Sequence, residues 1–311
     1  MPLTDRFIPL LNASGIDRGI LDDRDTAHIA ADGQSLLSRR SIPGLSMNID
    51  ESLGLTKVDI RIERDTYIVN PVHLCFALLH GTGSQNFCVH VVLEPGAKAD
   101  FIAHGLFANA QVVKHTMQKL IEIGDGAQAH FTDSHIHGLS GGIEVNSTAQ
   151  IKVGKHARYS ADFSLTSGRV GRLDLNESIQ ADDYAVVEII SRVYGHDDDS
   201  IQINEEVSLN GRFSRSMIKS RVALEDEARA DIVGITEGRA EGSRGHMDCM
   251  EIIKDQAVGQ STPVVKISHP LAKITHEAAI GTVDKKQLET LIAHGLSPEQ
   301  ATNMIVLGML R

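Results

Sequence analysis

Three short stretches carry side chains that could bind a metal ion or move a proton. In His130-Phe131-Thr132-Asp133-Ser134-His135-Ile136-His137, strand geometry places Asp133, His135 and His137 on one face, within reach of a single Fe, Mn or Zn ion. The ordinary alternative is the polar outer face of a half-exposed strand. In Arg244-Gly245-His246-Met247-Asp248-Cys249-Met250-Glu251, the same period of two sets His246 and Asp248 on one face and Cys249 and Glu251 on the other. The four therefore cannot all serve one centre, and a lone buried Cys249 ordinarily packs as a small hydrophobe. The third stretch is His276-Glu277, a pair that most often hydrogen bonds to hold a strand end.

Other chemistry is excluded by what the chain lacks. There is no Walker A sequence, no dinucleotide Gly fingerprint and no G-x-S-x-G elbow, so a self-sufficient ATPase or dehydrogenase is not expected. The cysteines are Cys75, Cys88 and Cys249, with no C-x-x-C pair. This leaves neither a disulfide framework nor a four-cysteine metal site within one chain. A net charge of −11 without a Lys/Arg cluster argues against nucleic acid or an acidic membrane as partner. No signal pattern opens the sequence and no apolar run approaches the roughly 20 residues of a membrane span. A cytoplasmic protein is the expectation.

The elements that must position these residues are mainly strands. Residues 1–57 read as an N-terminal arm, with a helical turn or two over Asp22–Ala31. From Val58 the alternation Val58-Asp59-Ile60-Arg61-Ile62-Glu63-Arg64 marks a half-buried strand, and strands continue to Ile267. Within 58–267 a phrase recurs: apolar, any, apolar, a short turn, then Ala. Its anchors fall at Ala97, Ala127, Ala157, Ala185, Ala228 and Ala257, in steps of 30, 30, 28, 43 and 29. Near-constant steps without crossover helices fit a β-solenoid whose coils cover one another. A sandwich of hairpins is the alternative, because Gly124-Asp125-Gly126 and Asn210-Gly211 are good hairpin turns. Residues 268–311 end in a helical hairpin. Asp284 with Gln287, and Ser297-Pro298 with Gln300, cap two helices separated by Gly295. Leu288, Leu291, Ile292, Met304 and Ile305 make an apolar stripe that can pack on the solenoid or bind a partner.

Two resemblances bear on these residues. The His135-x-His137 strand is similar to that of metal-dependent cupins, although Glu144 arrives later than the cupin spacing allows. The second covers more of the chain. Thr262-Pro263-Val264-Val265-Lys266, Ala272-Lys273-Ile274-Thr275-His276-Glu277-Ala278-Ala279-Ile280-Gly281, and Asp284-Lys285-Lys286-Gln287-Leu288 with His294-Gly295-Leu296-Ser297 resemble the C-terminal signature of the SufB/SufD family of iron–sulfur cluster assembly. The likeness is strongest from Gly245 to Leu310. It implies a right-handed parallel β-helix with a C-terminal helical hairpin. It also implies a non-enzymatic scaffold for a transient cluster, a dimer with itself or a paralogous subunit, and an ABC-type ATPase bound through the C-terminal helices. His276 and Glu277 match the family's His-Glu positions. Cys249 stands one position from the SufB cysteine, where this chain has Asp248, as in short archaeal and SufD-like members. The resemblance therefore makes Cys249, His276 and Glu277 the cluster candidates, two copies of each completing one site across a two-fold axis. Flavin, used by some complexes of the family, has no support in these residues. The rival from another class is a cupin-like metalloenzyme using Asp133, His135 and His137.

Overall fold

A strand that pairs in parallel with the strand two places further along the chain leaves its neighbour in sequence free to build a second sheet. Repeated, this winds the chain into a flattened coil. The computed structural model describes residues 23–52 and 54–311 and has this architecture. One sheet holds β1 (His28–Asp32), β2 (Ser35–Arg40), β5 (Val72–Ala77), β7 (Lys98–Phe107), β9 (Gln128–His137), β11 (Arg158–Ser167), β13 (Val186–Gly195), β15 (Arg215–Leu224), β17 (Arg244–Ile253) and β19 (Lys273–Gly281). The other holds β3 (Leu45–Ser52), β4 (Leu55–Ile62), β6 (Thr82–Leu93), β8 (Val112–Ile123), β10 (Ile143–Val153), β12 (Arg172–Ala181), β14 (Ser200–Leu209), β16 (Arg229–Gly238) and β18 (Val258–Ile267). The pairs β1/β2 and β3/β4 are antiparallel hairpins, and from β5 onward neighbours in both sheets are parallel. The chain is thus a parallel β-helix, and the sandwich is set aside.

Strands extend beyond 58–267 on both sides, from His28 to Gly281. The described part of the helical turn expected over Asp22–Ala31 is instead a turn leading into β1, because Ile29 and Ala31 pair in register with Leu74 and Phe76 of the first full coil. The N-terminal part of the arm, residues 1–22, lies outside the described residues.

The Ala anchors resolve into two corners. Ala97, Ala127, Ala157 and Ala185 stack on one another, each linked to the next coil by a backbone bond such as Gln128 N–H to Ala97 O. That column continues through Ser214 and Ser243. Ala228 belongs to the opposite corner, in line with Asp199 and Ala257. The step of 43 is therefore a full coil to Ser214 plus half a coil onward to the opposite corner. Gly124–Gly126 and Asn210–Gly211 are solenoid corners and bond to the neighbouring coil, as Gly126 N–H does to Lys155 O. The residue before each first-corner Ala or Ser takes a left-handed φ: Gly96, Gly126, His156, Tyr184, Phe213 and Gly242. His156, Tyr184 and Phe213 stack outside the coil, with centroids 4.7 and 5.4 Å apart. Gly242 ends the stack because a Cβ there would stand 2.5 Å from the Phe213 ring.

The two helices are α1 (Lys285–Ala293) and α2 (Pro298–Met309), capped as the sequence indicates. Asp284 accepts from Gln287 N–H at 2.7 Å, and Ser297 and Gln300 form a capping box. Val306 and Leu310 pack with Tyr194, Ala223 and Ile252 on the outer face of the first sheet, and Ile305 lies against that cluster. Ile292 and Met304 remain exposed. Since Ala157 is fully buried at its corner, A157L should overpack it. A loss of about 1–3 kcal/mol is expected, read as a lower urea midpoint; an unchanged midpoint would show that the corner is slack.

Candidate functional site

Register aligns inward side chains into columns. In the first sheet one column runs Ala103, Asp133, Phe163, Ser191, Ser220, Cys249, Ala278. The next pairs Gly105 with His135 and, beyond a register shift between β9 and β11, runs Leu165, Val193, Val222, Glu251 and Ile280. In the second sheet Lys119, Ala149, Glu177, Glu205 and Gly234 align. Polar groups therefore meet inside the coil. The Ser191 hydroxyl donates to Glu205 across the two sheets, and Lys119 Nζ lies 3.6 Å from Asp133 and 3.9 Å from Glu177. An interior cavity of about 60 Å³ lies among Lys119, Asp133, His135, Glu177 and Glu205.

This corrects the outer-face alternative for β9. Its burial alternates so that His135 and His137 are buried, on the inward face with Asp133. The outward residues are His130, Thr132 and Ser134. His135 Nε2 is 3.4 Å from Asp133 Oδ1, and His135 Nδ1 is 3.4 Å from His137 Nε2. His137 Nδ1–H donates to Arg169 O at 3.0 Å. His115, on β8, joins the group and bonds Gln85 Oε1 at 2.8 Å. Burial, then the charge of His135, pushes His115 and His137 down to about 3. Burial opposes the Asp133 carboxylate, but the His135 hydrogen bond and the charges of His135 and Lys119 hold it well below the usual range. Sequence spacing found His135 and His137; His115 comes from the other sheet and no local signal joins it to them.

Cys249 is 3% exposed and faces inward, with Glu251 two residues further on the same face. Burial, then the Glu251 and Glu205 carboxylates, pushes the Cys249 thiol up to about 11. Burial likewise raises Glu251, opposed by a side-chain hydrogen bond with Ser261 and by the charge of Arg221. His276 pairs with Met247, so it continues the inward face one coil beyond Cys249 and is exposed at the open end. Glu277 pairs with Asp248 on the opposite, outward face. Asp248 is held there by Arg221 at 2.5 Å, which lowers its pKa. The structure thus brings Cys249 and His276 to one wall and turns Glu277 away; Glu251, passed over in choosing cluster candidates, is the carboxylate beside the cysteine. The period of two already put Cys249 and Glu251 on one face, and that was the signal to follow.

Chemically, this wall offers a thiol, a buried carboxylate and an imidazole to a soft or borderline metal such as iron. Among the described residues no three His, Cys, Asp or Glu side chains already stand in metal-binding geometry.

The family model described as "SUF system FeS cluster assembly, SufBD core domain" matches residues 79–309. An iron-sulfur cluster assembly SufBD family protein of Methanocaldococcus jannaschii is 38% identical over 267 residues, 86% of this chain and 84% of that protein. Another, from Pyrococcus horikoshii, is 32% identical over 306 residues, 98% and 93% of the two chains. The iron-sulfur cluster assembly protein SufB of Bacillus subtilis aligns over 73 residues at 34% identity, 23% of this chain and 16% of its own.

Glu205 supplies a pH test of the interior. Burial raises it from 4.5 to about 8, so the fold keeps a proton that the unfolded chain has released. Stability should fall as pH rises from about 4.5 to 8. E205Q removes this loss: its advantage over the parent should grow by up to about 1.4 kcal/mol per pH unit, reaching about 3 kcal/mol at pH 7 and levelling off above pH 8. Parallel melting curves at pH 5 and pH 8 would contradict the buried, neutral carboxyl.

Proposed function

Because the chain belongs to the SufBD family and so to iron–sulfur cluster assembly, we propose that it is a non-enzymatic scaffold subunit. It holds a nascent cluster as cargo, dimerises with itself or a paralogous subunit, and works with a separate ABC-type ATPase in the cytoplasm. The observation that carries the reading is Cys249 on the inner wall beside Glu251, with His276 one coil further on at an open end.

A thiol pushed up to about 11 is protonated at rest, so incoming iron must displace that proton, and Glu251 is the neighbouring group able to take it. One cysteine on this wall makes the site mixed-ligand and labile, which suits a cluster that is handed on. The dimer reading is supported by the last coil. Ile267, Leu271 and Ile280 are exposed there, and among the described residues β18 and β19 each end a sheet with an unpaired backbone edge, a template for a second chain. Glu277, on the outward face of that edge, is offered to a second subunit rather than to Cys249 of its own chain. The ATPase reading rests on the family and on Ile292 and Met304, the exposed part of the helical stripe. ATP-driven movement of the hairpin would then open or close the dimer interface.

Two outcomes follow. Anaerobic reconstitution with ferrous iron and sulfide should give a visible-absorbing cluster in the parent and less than about a tenth of it in C249A, with H276A and E251Q intermediate; a full-strength cluster in C249A would move the site elsewhere. Replacing Ile292 and Met304 by Asp leaves the packed Val306 and Leu310 in place. It should weaken binding to the cognate ATPase at least tenfold, as loss of a buried apolar anchor does; unchanged binding would put the docking surface off the hairpin.

A further inference from the structure

The His115, His135 and His137 rings lie about Phe107, at centroid distances of 5.1, 6.1 and 5.6 Å. Their hydrogen bonds fix which nitrogen of each ring is free. The Gln85 amide donates both hydrogens, to Gly33 O at 2.9 Å and Ala77 O at 3.0 Å, so its oxygen accepts. His115 must therefore carry its proton on Nδ1, which leaves a lone pair on Nε2. His137 donates from Nδ1 to the Arg169 carbonyl, which can only accept, and its Nε2 is also free. His135 Nε2 faces the Asp133 carboxylate at 3.4 Å, and so it holds the proton there.

Each ring is thus anchored through one nitrogen to an acceptor, as metal-ligating histidines are by their outer-shell partners. The free nitrogens of His135 and His137 face one another. His135 Nδ1 and His137 Nε2 stand 3.4 Å apart. Two nitrogens at about 2.0–2.1 Å from a tetrahedral ion stand about 3.3 Å apart. Two bare lone pairs at that distance repel, so either a proton or a metal ion lies between them. His115 approaches from the facing sheet, its ring centroid 6.0 Å from that of His135. His115 and His135 border the interior cavity, and the His135 ring fills the space where Gly105 has no Cβ: one built there would be 2.8 Å from the imidazole.

We propose that His115, His135 and His137 bind one divalent first-row transition ion of the Zn, Co or Fe(II) type, with Gln85, Asp133 and the Arg169 carbonyl as its outer shell. Neutral imidazoles without a thiolate favour these ions over Mg²⁺ or Ca²⁺. No three side chains among the described residues are already closed to ligating distance. The two rings on β9 form the preset pair, and His115, whose ring centroid is 6.0 Å from that of His135, completes the set by turning its Nε2 toward them. The site is four coils from Cys249 along the shared column.

The test uses the full chain in a C249S background, freed of metal with a chelator and titrated with Co²⁺, so that failure here and failure of the cluster reading are separate results. The expected result is one equivalent of Co²⁺ with visible d–d bands between about 500 and 650 nm and no thiolate charge-transfer band, as imidazole ligation requires. H115A and H137A should each lose those bands, Q85L should weaken binding about 10- to 100-fold, and H130A on the outward face should bind as the parent does. H115Q and G105A replace any alanine variant whose metal-free melting point falls. G105A keeps every donor but displaces the His135 ring, so it too should lose the bands. Absence of saturable Co²⁺ uptake overturns the proposal and assigns a proton to the His135–His137 contact. Uptake unchanged in both H115A and H115Q overturns it as well.

Discussion

Everything in this protein depends on backbone hydrogen bonding between successive coils. A parallel ladder is satisfied only if each strand stays in register with the strands above and below. Here that register is kept through long strands in both sheets. Identical positions in successive coils then stack, and a residue's chemistry is decided by its column as much as by its neighbours in sequence. Small Ala and Ser fill the first corner because the chain must turn sharply against an identical turn. Apolar columns give an extended core from Ile29 to Met247, and the hairpin of α1 and α2 covers part of the outer face around Tyr194 and Ile252.

The same constraint brings polar groups inside, where they cost stability unless partnered. Lys119 offsets Asp133 and Glu177, Ser191 serves Glu205, and Gln85 links His115 to the backbone. Beside Cys249 the buried Glu251 carboxyl is offset by Ser261 and Arg221.

Much of this was legible in the sequence. The period of two identified β4 and predicted the shared facing of Cys249 and Glu251, and the caps at Asp284 and Ser297 located both helices. The Ala spacing revealed the coil, although one linear list merged two corners, because Ala suits either and Ser replaces it at 214 and 243. The strand of Asp133, His135 and His137 was found, but its burial was not. Polar residues on a strand ordinarily face water, and the Lys119 and His115 that accompany them inside come from the other sheet, through contacts no local pattern encodes. Glu277 follows His276 in sequence, yet alternation turns it to the other face, where Asp248 is its partner in register.

The proposed cluster site requires Cys249 to lie on the inner wall of the solenoid. Its most direct test is the rate of Cys249 alkylation by iodoacetamide in the native isolated chain, followed by peptide mass spectrometry against the same chain unfolded in urea. A thiol pushed up to about 11 from 9 has about a hundredfold less thiolate at pH 8, the form that reacts, and 3% exposure slows access further. Labelling at least a hundredfold slower than in the unfolded chain is predicted. Labelling at the unfolded rate would place Cys249 on the surface and contradict the account.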